Sequence, residues 1–203
     1  MLLVSWGKPA HQVIAHIAEN YLEPYAKDSV KALLGNQTLA DVASWADEVR
    51  NKPEYKNTAS WHYIDMSPAL AERDPKINSL IKIDQAIKIP DAPIIYNAFI
   101  QQERVLTNKS STKAQKVVVL KFLINLVGDA NQPMIVAWAG SQNDNPANAQ
   151  LYKKTRELQS FWEDSLIDGE GLSYATLANK INNATSSEYK NHLCAKKKRL
   201  GYL

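Results

Sequence analysis

An all-α fold is predicted for this chain, and three observations carry the prediction. Apolar residues recur at three- and four-residue spacing in segment after segment, as the buried face of a helix requires. No stretch of useful length alternates apolar and polar side chains with the period of a strand. Hydrophobic residues make up 45% and charged residues 22% of the 203, which suits a water-soluble domain with a sizeable core.

The helices follow in order. Val13, Ile14, Ile17, Ala18, Tyr21 and Leu22 mark the apolar face of the first, and Pro24 marks a break. Val30, Leu33 and Leu34 predict a short second helix stopped by Gly35 and Asn36. Thr38 is placed to cap a third, with Leu39, Val42, Ala43 and Ala46 on its apolar side. A loop with Pro53 follows, residues 61–68 read as extended, and residues 74–93 read as loop with at most a helical turn. Two longer helices are expected over residues 94–106 and 114–128, a loop over 139–148, and a further helix over 151–167. Ser173 caps a last amphipathic helix through Leu177, Ala178 and Ile181.

Residues 1–5, MLLVS, are too short for a signal peptide and read as the remnant of one. Residues 6–184 then form the domain, and residues 185–203 a basic tail where the bundle is cut short. The formal charge of +3 resides in that tail, because Lys196, Lys197, Lys198 and Arg199 alone supply four positive charges. Basicity is therefore no argument for nucleic-acid binding by the domain. A single cysteine, Cys194, excludes an intrachain disulfide. No run approaches the roughly 20 apolar residues of a membrane span. Oligomeric state is not legible.

The chemistry concentrates on FLINLVGDANQP, residues 122–133. Asn125 and Asp129 stand four apart and share one face of an apolar helix. A carboxylate inside such a helix needs a cation, a metal or a hydrogen-bond network, because an unpaired buried charge is too costly to keep. Plain structural readings stand beside this one: Asp129 satisfied by Asn125 and backbone amides, and Asp47 with Arg50 as an i, i+3 pair worth a few tenths of a kcal/mol.

Together with WGKPAHQVIAHIAENYL, SWADEVR, WHYID and KKTRELQSFWEDSLID, that stretch makes the chain resemble the zinc-dependent single-strand nucleases of the S1/P1 type. These nucleases share a helical bundle with bacterial zinc phospholipases C. The five blocks occur in the family's order. The resemblance implies a cleft with three zinc ions, cleavage of phosphodiester bonds in single-stranded RNA and DNA, and single-stranded nucleic acid or nucleotides as partners. It implies zinc ligands at Trp6 (through a free amino terminus), His11, Asp47, His62 and Asp129, the last shared among the metals. Asp47 would also orient the attacking water, and Arg50 would stabilise the phosphoryl transition state. Tyr63 stands where an aromatic ring stacks on a base, and Asn145 is a candidate base contact.

Departures from the family pattern are specific. Asn125 and Gln159 occupy positions of histidine ligands and are weakened metal positions, Ile135 replaces another histidine, Asn131 a further common one, and Glu163 replaces an aspartate. Glutamate still binds zinc, amides bind weakly and isoleucine not at all. Fewer than three zinc ions, or none, are expected. Two readings follow: a metal-dependent endonuclease with impaired activity, and a non-catalytic relative that binds nucleotide or a protein partner. A phospholipase C relative is a third, resting on Glu163. Export to the periplasm or beyond the cell is expected if a longer precursor is cleaved before Trp6, and a cytoplasmic location otherwise.

Overall fold

The computed structural model describes residues 6–62, 94–132, 148–151, 154–157, 167 and 171–185. Seven α-helices, one 3-10 helix and one pair of antiparallel strands are formed by these residues. The expected all-α bundle is present. No helix among the described residues is long and apolar enough to cross a membrane.

Helix α1 spans Lys8–Asn20, with Gly7 at its N-cap and Pro9 in its first turn, where a missing N–H leaves no bond unmade. Helix α2, Pro24–Leu34, starts on the proline that the sequence marks as a break, so Pro24 is an initiator. Gly35 ends it at φ 67°, a left-handed conformation that glycine adopts without Cβ strain.

The single third helix expected after Thr38 is two. Thr38 caps α3, Leu39–Val42, in a reciprocal box with Asp41, and after Ala43 and Ser44 the chain restarts as α4, Trp45–Val49. At that break the Ala43 carbonyl accepts a hydrogen bond of 3.0 Å from the Asn125 side chain. A distant residue thus stabilises the interruption, and local spacing does not reveal it.

Pro53–His62 forms a 3-10 helix that includes Trp61 and His62, the first two residues of the stretch expected to be extended, whose remainder, 63–68, lies outside the described residues. Packing decides otherwise: Trp61 lies 5.1 Å from Phe122, centroid to centroid, and His62 is fully buried. Helices α5, Ile94–Thr107, and α6, Lys113–Ala130, match their predicted positions. Residues 148–151 and 154–157 form the antiparallel strands β1 and β2, with Leu151 paired to Lys154. This corrects the helix expected to begin at residue 151; strands of four residues are too short for a period to be read. Helix α7, Tyr174–Ala184, is capped by Ser173 as predicted, with Leu177 and Ala178 buried and Ile181 exposed.

Three apolar clusters hold these elements. In the first, Ala46, Ile95, Ala98, Phe122 and Leu126 are buried, with Trp45, Tyr55 and Trp61 packed around them. The second gathers Ala15, Leu34, Leu39, Val42, Ala43 and Leu120. The third joins Val13 of α1 to Leu177 and Ala178 of α7. Helix α6 contributes to the first two, and the polar cluster described next lies on its buried face.

Candidate active site

Helix α6 brings Asn125 and Asp129 to one buried face, both with no solvent exposure. Three other elements converge on that face: α1 supplies His11, α4 with its C-cap supplies Asp47 and Arg50, and the end of the 3-10 helix supplies His62. His11 and His62 are as buried as the α6 pair, whereas the Asp47 side chain keeps 19% of its surface exposed and is the group most open to solvent.

The contacts are short and connected. His62 Nδ1 stands 2.7 Å from Asp129 Oδ2, and its distance to Asp47 Oδ1 is 3.7 Å. His11 Nε2 lies between the two carboxylates, 3.2 Å from Asp129 Oδ1 and 3.4 Å from Asp47 Oδ2. Asn125 Nδ2 donates to Asp47 Oδ2 at 2.7 Å and to the Ala43 carbonyl, and lies 3.5 Å from His11 Nε2. Arg50 Nη1 is 3.7 Å from Asp47 Oδ1, which makes the pair part of the cluster and removes the plain surface-pair reading. Asn125 closes on Asp47, while both imidazoles reach Asp129. Burial pushes the Asp47 carboxyl above the ordinary carboxylate range, and Asp129 adds to the rise; His11, His62 and Asn125 pull it back.

Several buried atoms in this cluster have no hydrogen-bond partner: Asp47 Oδ1, Arg50 Nε and Nη1, His62 Nε2 and Asn125 Oδ1. Buried polar atoms are normally satisfied, so unmet donors and acceptors gathered in one place make this corner the candidate site. With Nδ1–H given to Asp129, His62 presents Nε2 as a lone pair, a tautomer assigned here from its hydrogen-bond partner.

The chemistry of two imidazoles and two carboxylates suits zinc. The residue standing among them does not: Asn125 is a neutral amide whose Nδ2 donates to Asp47 Oδ2 and has no lone pair for a metal. Among the described residues no group of three or more His, Cys, Asp or Glu is arranged to hold a metal ion. The described donors as they stand thus form no zinc site, and positions 135, 159 and 163, which the resemblance assigns to further ligands, lie outside the described residues.

Trp6 reaches the same helix by its indole, whose Nε1 donates to the Gly128 carbonyl at 3.0 Å. Tyr63, Asn145, Gln159, Glu163 and Ile135 lie outside the described residues. Two residues went unnoticed in the sequence. A Cβ on Gly128 would stand 2.6 Å from His11 Nδ1, so only glycine admits the imidazole; a glycine inside an apolar helix was the signal. Gln132 is fully buried with both amide atoms unpartnered, and nothing in its spacing announced this.

The chain matches the family described as S1/P1 nuclease over residues 6–200. It is 28% identical over 193 residues to nuclease P1 of Penicillium citrinum, an alignment that covers 91% of this chain and 68% of that protein. With endonuclease 4 of Arabidopsis thaliana it shares 27% identity over 178 residues, 83% of this chain and 58% of the plant protein. Nuclease S1 of Aspergillus oryzae is 24% identical over 136 residues, 66% of this chain and 45% of that protein. The chain thus spans about two thirds of nuclease P1 and less of the other two.

Proposed function

Because the chain belongs to the S1/P1 nuclease family, we propose that its Arg50–Asp47 corner binds the phosphodiester of single-stranded nucleic acid and that hydrolysis there is slow. The observation that carries the proposal is Arg50, a guanidinium only 9% exposed whose Nε and Nη1 have no hydrogen-bond partner. Charged donors left unmade in a buried place are expensive, and a phosphoryl group supplies the matching oxygens. Arginine suits this role through its planar fork of N–H groups.

The neighbouring atoms have complementary tasks. His62 Nε2 is the free lone pair of an imidazole oriented by Asp129, the arrangement of a general base. Asp47 Oδ1 is an unmet acceptor 3.7 Å from Arg50 Nη1, suited to hold a water beside the guanidinium. In hydrolysis the water gives its proton to His62 Nε2, its oxygen bonds to phosphorus, and the ester P–O bond breaks. The departing oxygen takes a proton from solvent. Base catalysis of this kind contributes about 10²–10⁴-fold, which is why slow turnover is expected. A second reading, nucleotide binding without cleavage, is favoured by the Asn125 amide engaged on Asp47 Oδ2.

Fluorescence anisotropy with a labelled single-stranded oligonucleotide, competed by inorganic phosphate, tests the binding. Gel analysis of the same oligonucleotide tests cleavage. Arg50→Ala is expected to weaken binding by about 10- to 100-fold, the loss of charge-assisted hydrogen bonds. Equal affinity of wild type and Arg50→Ala would sink the proposal. Tight binding with no product after prolonged incubation selects the second reading.

A further inference from the structure

Two carboxylates share the buried cluster, and like charges so placed require compensation. Among the described residues the imidazoles of His11 and His62, the guanidinium of Arg50 and the amide of Asn125 face them. We propose that Asn125 is a positioning residue that does by hydrogen bonding what a bound metal would do by coordination: its amide nitrogen, anchored on Ala43, holds Asp47 in the cluster and makes the fold independent of zinc.

The orientation of the amide is fixed by its surroundings. Both close partners of Nδ2, the Ala43 carbonyl at 3.0 Å and Asp47 Oδ2 at 2.7 Å, are acceptors. A flipped amide would turn its oxygen on two oxygens, so the nitrogen is correctly assigned. The two hydrogens of Nδ2 are consumed by those two bonds. A cation seated between Asp47 Oδ2 and His11 Nε2 would meet the amide nitrogen, which lies 2.7 Å from one and 3.5 Å from the other and offers no lone pair. The anchor has a second effect, because the Ala43 carbonyl stands at the break between α3 and α4. Asn125 therefore ties the start of α4, which carries Asp47, to α6, which carries Asp129. Neither step invokes nucleic acid, so the inference stands or falls separately from the phosphodiester reading.

The full chain is melted by calorimetry after dialysis against chelator and again with zinc in excess, and zinc per chain is measured by elemental analysis. Zinc bound to the fold at a hundredfold excess over its Kd would raise Tm by roughly 5–10 °C. Wild type is expected to melt at the same temperature in both conditions, with fewer than one zinc per chain. Asn125→Ala is expected to melt lower in both, unrescued by zinc. Asn125→His, which exchanges the amide for an imidazole lone pair, is expected to take up zinc and to melt higher when it is present. Zinc-dependent melting of wild type overturns the proposal, as does an Asn125→Ala variant as stable as wild type. So does an Asn125→His variant that takes up no more zinc than wild type. Should Asn125→Ala fail to fold in either condition, the wild-type melts and the Asn125→His uptake decide the matter.

Discussion

Gly128 shows how one missing carbon shapes the cluster. In a helix, replacing glycine by alanine normally gains up to about 1 kcal/mol. Here the new Cβ would lie 2.6 Å from Nδ1 and 2.9 Å from Cε1 of a buried ring, so His11 has to leave its place between the carboxylates. Gly128→Ala is therefore expected to destabilise by about 1–3 kcal/mol, as overpacking does. Urea denaturation checks it, and a variant more stable than wild type would show that His11 is free to move. Asp47 provides a second expectation, set by pH. Its folded pKa lies above the unfolded one, so the ionised form is disfavoured in the fold. The penalty is present above the raised value and disappears as pH falls through it. In chelator, Asp47→Asn should melt higher than wild type at pH 7, and the gap should close toward about pH 4, the ordinary carboxylate range. A gap constant with pH would mean that burial of the charge is not its source.

At the level of elements, the sequence discloses most where the signal is local. The positions of α1, α2, α5, α6 and α7 follow from apolar spacing, and the caps on Thr38 and Ser173 from residue type. The break between α3 and α4 was hidden, because Leu39, Val42, Ala43 and Ala46 continue one helical face across it. What stabilises it is Asn125, 82 positions away. The 3-10 helix is illegible for a related reason: Trp61 and His62 pack on Phe122 and Asp129, far along the chain. The candidate site followed the same division. Asp129 was legible as a buried carboxylate, whereas the turn of Asn125 toward Asp47 depends on a meeting of helices that no spacing encodes. Helix α6 carries a further cap unnoticed in the sequence, a reciprocal box between Thr112 and Gln115. Thr112→Ala should cost about 1 kcal/mol and Thr112→Ser much less; equal melting temperatures for the three proteins would deny the cap a role.

Across the molecule, the cluster is a meeting place of segments far apart in sequence. His11 sits on α1, whose Val13 packs on α7, while Phe122 and Leu126 of α6 pack with α5 and α4 in the first cluster. Leu120 of the same helix enters the second cluster, so α6 links two apolar cores and the polar site rides on the link. Loss of packing in the first core should then be felt by the other elements α6 holds. Phe122 is 2% exposed and in ring contact with Trp45, Tyr55 and Trp61. Phe122→Ala should lower stability by about 3–5 kcal/mol, as deletion of a buried aromatic ring does. Tryptophan fluorescence, to which Trp45 and Trp61 beside this core contribute two of the five tryptophans, is followed with far-UV circular dichroism, which reports on all helices together. If α6 couples the cores, both signals move to lower urea together, with one midpoint and an unchanged slope. Two separate midpoints in the variant would mean that the cores unfold independently, and that the histidines and carboxylates are brought together by something other than α6.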